Sequence, residues 1–311
     1  MNDESLRWYH RLFVGLQYFL PHHQLSALLF RATRVRWPPF KNLLIRNVVR
    51  LYRVDMTEAR ESDPAAYESF NAFFTRSLRP DARPIATQEE AVICPADGAL
   101  SQLGTITDGR IFQAKGRDYS LLELLDGHED WAQRLDGGTF ATIYLSPRDY
   151  HRVHMPSGGI LREMIQVPGR LFSVNPVTTA LVPQLFGRNE RVLSLFEGEL
   201  GPMAVILVGA IFVGSMETVW AGQVTPTRGR SPSQSYKGQA AIRLEKGAEM
   251  GRFNMGSTVI LLFGPEKVVW NPELKPGVIL RMGQQIGRIC GHPQNRVDQN
   301  APSWSSPSND D

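Results

Sequence analysis

The chain has 311 residues, 42% of them hydrophobic, which is enough for one large domain or two ordinary ones with a sizeable core. Its 34 Lys and Arg nearly balance its 31 Asp and Glu, so the net charge identifies no binding partner. The two cysteines, Cys94 and Cys290, lie far apart without metal-ligand spacing, which argues against a disulfide framework or a zinc site and favours a reducing compartment.

The N-terminal segment is basic and apolar. Hydrophobic residues recur at helical spacing in residues 6–20, 25–29 and 43–52, which predicts three short amphipathic helices. Basic residues far outnumber acidic ones in the first 54 positions: Arg7, Arg11, Arg31, Arg34, Arg36, Lys41, Arg46, Arg50 and Arg53 against Asp3 and Glu4. This combination predicts that residues 1–60 dock on an anionic membrane surface. An ordinary helical subdomain, packed on the core, is the alternative that the pattern leaves open.

We expect a protein that does not cross the membrane. The N-terminus begins with acidic residues, and Arg11 and Gln17 interrupt any hydrophobic signal region. The longest apolar stretch, Met203–Val213, is punctuated by glycine and is too short to span a bilayer.

A capped helix is predicted after the N-terminal segment. Asp63 is a suitable N-cap, and Pro64 is suitable for the first helical turn. Four apolar residues then fall on one helical face, which indicates packing against a core: Phe70, Phe73, Phe74 and Leu78.

A β-rich region follows. Short apolar runs broken by Gly and Pro predict strands, and a capping box from Ser120 to Glu123 predicts one helix among them. The predicted strands are 91–94, 99–106, 110–114, 139–145, 159–167, 191–197, 202–213, 215–224, 239–244, 257–263 and 278–281. Residues 61–291 are therefore predicted to form one α+β domain of mostly antiparallel strands, followed by a disordered tail, residues 292–311.

The pair Gly256-Ser257 precedes an apolar run rich in β-branched residues. By itself this pattern predicts a tight turn and then a buried strand. Elsewhere the chain supplies Asp97, His151 and His154. Asp97, His154 and Ser257 are the residue types of a relay that activates a serine hydroxyl. A hydrolase of external substrates is disfavoured, because no Gly-x-Ser-x-Gly turn surrounds Ser257.

Five segments point to a more specific function. They are Phe73-Phe74-Thr75-Arg76, Pro95-Ala96-Asp97-Gly98, Tyr144–Pro156, Glu217-Thr218-Val219-Trp220-Ala221-Gly222 and Gly256-Ser257-Thr258. In this order they resemble segments of the bacterial phosphatidylserine decarboxylases, which are membrane-associated, self-processing and pyruvoyl-dependent. One position departs from the family, because Met255 stands where Leu is usual; the exchange conserves volume and apolarity.

The resemblance implies decarboxylation of phosphatidylserine to phosphatidylethanolamine and carbon dioxide. Ser257 would attack the carbonyl carbon of Gly256, and the resulting chains, 1–256 and 257–311, would stay associated. Residue 257 would become an N-terminal pyruvoyl group, a covalent cofactor that forms a Schiff base with the substrate amine and accepts electrons as carbon dioxide leaves.

The resemblance also implies roles for the other site residues, and a location. Asp97 and His154 would serve self-cleavage as relay and base, and His151 would protonate the substrate Cα after decarboxylation. The enzyme would be peripheral, on the cytoplasmic side of the cell membrane, and the sequence is compatible with a homodimer. No metal ion and no nucleic-acid partner are expected.

Two other functions stay open on the residues alone. A pyruvoyl-dependent decarboxylase of a soluble amino acid would not need residues 1–54. A non-catalytic module that binds membranes or nucleic acid would explain the basic N-terminus but leave the Gly-Ser-Thr and two-histidine segments unexplained. For an enzyme, Arg148, Lys115 and Arg170 are candidates to hold a substrate phosphate or carboxylate.

Overall fold

The computed structural model describes residues 8–114, 116–211, 215–226, 233–236, 238 and 241–290. The helices are α1 (Trp8–Phe19), α2 (His22–Ala32), α3 (Pro38–Tyr52), α4 (Phe70–Phe74), α5 (Leu121–Leu124), α6 (Glu129–Leu135), α7 (Pro176–Leu181) and α8 (Leu185–Arg188). The strands are β1 (Ala91–Ile93), β2 (Gly98–Thr105), β3 (Arg110–Ala114), β4 (Arg117–Ser120), β5 (Thr139–Tyr144), β6 (Arg152–His154), β7 (Gly159–Val167), β8 (Arg191–Gly198), β9 (Gly201–Val208), β10 (Met216–Thr218), β11 (Gly222–Gln223), β12 (Gln234–Ser235), β13 (Ile242–Leu244), β14 (Glu249–Phe253), β15 (Thr258–Phe263), β16 (Val268–Trp270), β17 (Ile279–Leu280) and β18 (Gln285–Ile289).

The pair Gly256-Ser257 leads into a central strand of a large antiparallel sheet. The strand order is β12-β7-β8-β9-β15-β5-β2-β17, and β13 also pairs with β7. Along its whole length β15 is paired with β9 on one side and with β5 on the other. All of its residues are buried, and its apolar residues alternate between two hydrophobic clusters. Because both faces of the sheet are covered, the sequence of β15 is apolar without the usual polar alternation.

Two smaller antiparallel sheets carry the other predicted site residues. One has the order β11-β10-β14-β6, and the other has the order β1-β18-β16. Residues 254–257 connect β14 to β15, so the Gly256–Ser257 bond lies where the chain passes from a small sheet to the large one. His154 is the last residue of β6, and Asp97 lies between β1 and β2.

Helices α1–α3 contact the β-rich part through both polar and apolar side chains. Gln17 of α1 accepts a hydrogen bond from the backbone N–H of Ser173 at 2.8 Å and donates one to Thr178 Oγ1 at 3.3 Å. Ile45 of α3 is fully buried in a cluster with the phenylalanines of α4. The opposite surfaces of these helices leave large apolar side chains exposed, among them Phe19 at 88% and Leu51 at 74%.

No helix within the described residues is long and apolar enough to span a bilayer. The longest helix, α3, has 15 residues and contains Lys41, Arg46 and Arg50.

The predicted fold class is confirmed: short N-terminal helices precede a mostly antiparallel β domain, which is an α+β arrangement. Each predicted strand coincides at least in part with an observed one, and Ser120 caps the predicted helix, with its Oγ accepting from Glu123 N at 3.2 Å. The domain limits 1–60, 61–291 and 292–311 stay predictions. The tail 292–311 lies outside the described residues, as do Lys115 and residues 212–213 of the predicted strand 202–213.

The helix predicted from Asp63 to Leu78 was wrong in extent. It covers only Phe70–Phe74, and its N-cap is Ser69, whose hydroxyl accepts from Ala72 N at 3.1 Å. Asp63 instead accepts from Ala65 N at 2.8 Å and closes a turn. A local Asp-Pro pattern fits either a turn or a helix start, and here the turn brings Tyr67 against Phe73.

Candidate functional site

Ser257 is completely buried at the start of the central strand. Its hydroxyl donates to the carbonyl oxygen of Val208 and accepts from Thr258 N. Its own carbonyl oxygen accepts from Leu145 N at 2.8 Å. The large sheet therefore fixes both the side chain and the backbone of Ser257 from neighbouring strands on either side.

Asn254 anchors the segment that enters the Gly256–Ser257 bond. Its side-chain amide donates to Ser215 Oγ and, at 2.8 Å, to Glu217 Oε1, and its backbone N–H donates to Ser215 O at 2.9 Å. Arg252 also donates to Glu217, at 2.8 Å. Burial would raise the pKa of Glu217, but the hydrogen bonds from Asn254 and Arg252 outweigh it and lower that pKa. A charged carboxylate thus holds the approach to the bond, which gives Glu217 a structural role that the sequence did not reveal.

His151 lies beside Gly256. A Cβ atom added to Gly256 would be 3.3 Å from His151 Nε2. The other ring nitrogen, Nδ1, is 2.8 Å from the carbonyl oxygen of Asp149 and must donate to it. In the neutral ring Nε2 therefore carries a lone pair, and this buried atom has no hydrogen-bond partner among the described residues. The ring also lies against Phe74, with centroids 4.0 Å apart.

Burial is the main cause that lowers the pKa of His151, to about 3, and the positive charge of Arg76 lowers it further. The hydrogen bond to the Asp149 carbonyl acts in the opposite direction but is outweighed. His151 is therefore a neutral imidazole at physiological pH, and its unprotonated Nε2 lies close to Gly256.

His154 faces a different set of residues. Its Nδ1 donates to Gly247 O at 2.8 Å, and its Nε2 accepts from the hydroxyl of Tyr150 at 3.1 Å. Burial lowers the pKa of His154, so this ring is also neutral. Both of its nitrogens are engaged, in contrast to those of His151.

Asp97 is held by Arg83. Arg83 Nε donates to Asp97 Oδ1 at 2.8 Å, and both side chains are almost completely buried. Asp97 Oδ1 also accepts from Met282 N at 2.9 Å, while Arg83 makes a second ion pair with Glu58 at 2.7 Å. The backbone N–H of His154 donates to Pro95 O at 2.8 Å, which brings the Asp97 loop next to β6.

The predicted site residues thus lie in one region but form no continuous relay in this conformation. Gly256, Ser257 and His151 are adjacent. Asp97 and His154 are neighbours through the Pro95 contact, yet each side chain bonds to another group, Arg83 and Tyr150 respectively. Tyr150 belongs to the two-histidine segment Tyr144–Pro156, so the sequence could have suggested it as a partner of His154. No local sequence pattern predicts that Arg83 pairs with Asp97.

The cationic candidates for substrate binding are less well placed. Arg148 is largely exposed and lies 3.7 Å from the Asp149 carboxylate, and Lys115 lies outside the described residues. The backbone of Arg170 pairs with Arg188 and Glu190. Within the described residues, no three His, Cys, Asp or Glu side chains converge so as to hold a metal ion.

A mostly apolar cavity of about 250 Å³ reaches Gly256, the residue before Ser257. Gly256 and Met255 line one part of it, Phe70 and Phe74 of α4 another, and Val48 and Tyr52 of α3 a third. The cavity therefore connects the bond to the helix that carries exposed apolar side chains.

Comparisons with known proteins identify a family and two close relatives in sequence. A family model described as Phosphatidylserine decarboxylase matches residues 70–288, and a second model, described as PSD, matches residues 12–53. The phosphatidylserine decarboxylase proenzyme of Bordetella bronchiseptica is 59% identical over 280 residues, which cover 89% of this chain and 94% of that protein. The proenzyme of the same name from Pseudomonas fluorescens is 58% identical over 281 residues, with coverage of 89% and 97%.

Proposed function

The chain belongs to the phosphatidylserine decarboxylase family, and from this premise we propose that it converts phosphatidylserine to phosphatidylethanolamine and carbon dioxide. It would be a lyase of phospholipid biosynthesis, made as a proenzyme that cleaves itself between Gly256 and Ser257. The observation that carries this proposal is the apolar cavity that extends from this bond to α3. Through it a lipid head group would approach Gly256, directly before residue 257, while the acyl chains stay in the membrane.

In the proposed self-cleavage, Ser257 Oγ attacks the carbonyl carbon of Gly256. The peptide C–N bond breaks, the nitrogen of Ser257 takes a proton, and an ester joins Gly256 to Ser257 Oγ. Loss of the Cα proton of residue 257, with departure of the Gly256 carboxylate, separates chains 1–256 and 257–311. The dehydroalanine at residue 257 takes up water and releases ammonia, which leaves a pyruvoyl group.

The proposed base for this step is His154, oriented by Asp97. Several hydrogen bonds would have to be exchanged first: Ser257 Oγ must leave Val208 O, Tyr150 must release His154 Nε2, and His154 Nδ1 must leave Gly247 O. Asp97 would likewise have to turn from Arg83 towards His154. A local rearrangement of the proenzyme before cleavage is therefore part of the proposal.

His151 is a second candidate for the base, and one observation favours it. Its Nε2, which has no hydrogen-bond partner among the described residues, already lies next to Gly256. No hydrogen bond of His151 would have to break before it accepts the proton from Ser257. The two assignments predict different results for substitution of the two histidines. Replacement of the histidine that acts as the base is expected to leave the chain uncleaved.

The surroundings of residue 257 suit a pyruvoyl group. Leu145 N donates to the carbonyl oxygen of Ser257, so the carbonyl that would adjoin the keto carbon is already held at 2.8 Å. The group would supply an electron sink for loss of a carboxylate from an amine substrate. His151 would deliver a proton to the substrate Cα; the negative charge of a bound substrate would raise its pKa and so favour the protonated ring.

The enzyme is proposed to work as a peripheral protein on the cytoplasmic side of the cell membrane. Exposed apolar side chains on α1–α3, together with the basic residues between them, suit helices in the plane of an anionic bilayer. A decarboxylase of a soluble amino acid would need neither these helices nor an apolar cavity beside α3. A non-catalytic module would have no use for a buried serine next to an unpartnered histidine.

The intact mass of the purified protein, measured beside its Ser257→Ala variant, tests the proposal. The wild type is expected to give two chains, 1–256 and 257–311, with the mass of a pyruvoyl group at the new terminus, and the variant one full-length chain. A single full-length mass in both proteins, after incubation with phosphatidylserine-containing vesicles, would contradict self-processing at Ser257. Release of carbon dioxide from phosphatidylserine by the processed wild type then tests the reaction itself.

A further inference from the structure

A second large cleft lies on the opposite side of α4 from the cavity beside Gly256. It has a volume of about 730 Å³, and Asn71 and Ala72 of α4 line it, whereas Phe70 and Phe74 line the cavity. Among the described residues the cleft and the cavity share no lining side chain. We call it the arginine cleft because six arginines line it: Arg34, Arg36, Arg60, Arg76, Arg152 and Arg252.

Only half of these arginines have a carboxylate partner. The ion pairs are Arg36–Glu68 at 3.2 Å, Arg152–Glu249 at 2.9 Å and Arg252–Glu217 at 2.8 Å. Glu61 also lines the cleft, but its carboxylate accepts from the backbone N–H of Asp63 at 2.9 Å. Arg34, Arg60 and Arg76 make no ion pair with any described carboxylate, which leaves the arginine cleft positively charged.

Arg76 is the strongest indication of a missing anion. The residue is only 5% exposed, yet its Nε and Nη1 have no acceptor among the described residues. Its Nη2 donates to the carbonyl oxygen of Arg148 at 3.1 Å. A guanidinium remains charged in proteins, and a buried charge without enough acceptors is costly. An anion in the arginine cleft would supply acceptors for this side chain.

Arg34 is held in place at the other end of the cleft. Its guanidinium lies 3.5 Å from the centroid of the Phe30 ring, and Nη1 donates to Phe30 O at 3.1 Å. The link between α2 and α3 that carries Arg34 is tied to α4, because Asn71 N donates to Thr33 O at 2.9 Å. An arginine that is fixed before binding loses little side-chain entropy when it contacts an anion.

The same link carries Trp37, which is 65% exposed and follows Arg36 directly in the chain. Leu28 of α2 is also exposed. Exposed apolar side chains therefore flank, in the chain, two of the arginines that line the cleft. Arginine forks match phosphate oxygens, and a phosphate in the cleft would lie at the depth of lipid head groups.

We propose that the arginine cleft binds the phosphate of an anionic membrane phospholipid, at a site separate from the one where substrate reacts. Free phosphate has the same anionic oxygens, but the exposed Trp37 beside the cleft favours a lipid head group as their source. The site rests on the proposed membrane docking and is independent of the chemistry proposed at Ser257. It would hold the protein on anionic membranes with the cavity beside Gly256 facing the bilayer.

The test measures flotation of the full-length chain with phosphatidylcholine vesicles that contain or lack phosphatidylglycerol. All proteins carry Ser257→Ala, so failure of the proposed self-cleavage does not affect the result. The double variant Arg34→Gln/Arg60→Gln is expected to lose roughly 30-fold in affinity for the phosphatidylglycerol vesicles, from about 1 kcal/mol for each charge. Arg243→Gln/Arg288→Gln removes the same charge from two exposed positions outside the cleft and is expected to bind as the parent does.

Three results would overturn the proposal. Equal losses in both double variants would mean diffuse electrostatic attraction, and no loss in the cleft variant would mean that the cleft takes no part. In the third result, inorganic phosphate raises the thermal midpoint of the parent but not of the cleft variant, while both proteins bind the vesicles equally well. The cleft would then bind a soluble anion. The thermal midpoints without phosphate show whether each variant is folded. The variant Arg34→Lys/Arg60→Lys keeps the positive charges and is expected to recover part of the lost affinity.

Discussion

His151 Nε2 lies so close to Gly256 that a methyl group on Gly256 would be only 3.3 Å away, and no group in the described part of the chain forms a hydrogen bond with this nitrogen. Leu145 O is at the same distance from the position of such a methyl group. Gly256 is therefore needed for the close approach of a histidine lone pair and a carbonyl oxygen to the backbone at the bond that is proposed to break.

Replacement Gly256→Ala is expected to slow self-cleavage roughly tenfold to a hundredfold, because the new methyl group displaces either His151 or the peptide bond from its position. The fraction of full-length chain remaining with time, read from intact mass, measures the effect. Gly15→Ala is the matched control, since a methyl group at Gly15 would meet nothing within 4 Å. Equal cleavage rates in both variants would show that the close approach at Gly256 has no bearing on the reaction.

The two histidines are expected to separate self-cleavage from decarboxylation. If His154 is the base for cleavage, His154→Ala accumulates as full-length chain, while His151→Ala still yields chains 1–256 and 257–311. The cleaved His151→Ala protein is expected to decarboxylate phosphatidylserine about 10²- to 10⁴-fold more slowly than wild type, the usual effect of removing a general acid. An uncleaved His151→Ala beside a normally cleaved His154→Ala would transfer the role of base to His151.

Most of the fold could be predicted from the sequence because its signals are local. The run after Ser257 is apolar without alternation, which is typical of a strand covered on both faces, and β15 lies in that position. The strands that were missed are short or polar, such as β14 and β18, and depend on pairing with distant strands. The helix limit at Asp63 was wrong because a turn and a helix start have the same local chemistry.

The sequence predicts which residues belong to the candidate site but not which partners their side chains contact. Motif residues identified Asp97, His151, His154 and Ser257, yet no sequence pattern showed that Arg83 holds Asp97 or that two nitrogens of the buried Arg76 have no acceptor among the described residues. These pairings join positions that are far apart in the chain or lie on different elements. They are set by tertiary packing, which a single sequence does not report.

The stability of the uncleaved chain is expected to fall as the pH is lowered, in part because of His151. Its pKa is about 3 in the folded state, mainly through burial, but near 6.5 when unfolded, so the unfolded chain binds the proton first. The contribution of His151 is full above pH 6.5 and decreases as the pH falls towards 3, by about 2 kcal/mol at pH 5. Urea unfolding of Ser257→Ala at pH 5 and pH 8 measures the loss.

The control for this pH dependence is His151→Gln in the same Ser257→Ala background. Glutamine does not titrate, so the difference in unfolding free energy between pH 5 and pH 8 is expected to shrink by about 2 kcal/mol. His154, whose pKa burial also lowers, remains in both proteins and contributes to both in the same direction. An identical pH dependence with and without His151 would show that its ring is not buried in the neutral form.

The buried ion pair between Arg83 and Asp97 is expected to be needed for stability. Arg83→Met leaves the Asp97 carboxylate buried without its main partner and is expected to cost about 3–5 kcal/mol in unfolding free energy. Arg79→Met breaks the exposed pair with Asp81 and is expected to change stability little. If both variants lose the same small amount of unfolding free energy, Arg83 does not hold Asp97.

A direct role of Asp97 in the relay is tested by cleavage. If Asp97→Asn folds but remains uncleaved while Arg83→Met still cleaves, Asp97 acts in the relay itself.

Membrane docking through α3 is expected to depend on Leu43 and Leu51, which are 59% and 74% exposed and lie eight residues apart on one helical face. Leu43→Gln/Leu51→Gln removes apolar area that would enter the bilayer surface, and flotation with anionic vesicles is expected to show a loss in affinity of roughly tenfold or more. Val269→Gln/Ile279→Gln makes the same kind of change at two exposed positions on β16 and β17 and is expected to bind as wild type. Because Val48 and Tyr52 of α3 line the cavity beside Gly256, docking through this helix would place the opening of the cavity at the membrane. Equal binding of the two double variants would instead mean that α3 faces away from the bilayer, and that the lipid reaches Ser257 by another route.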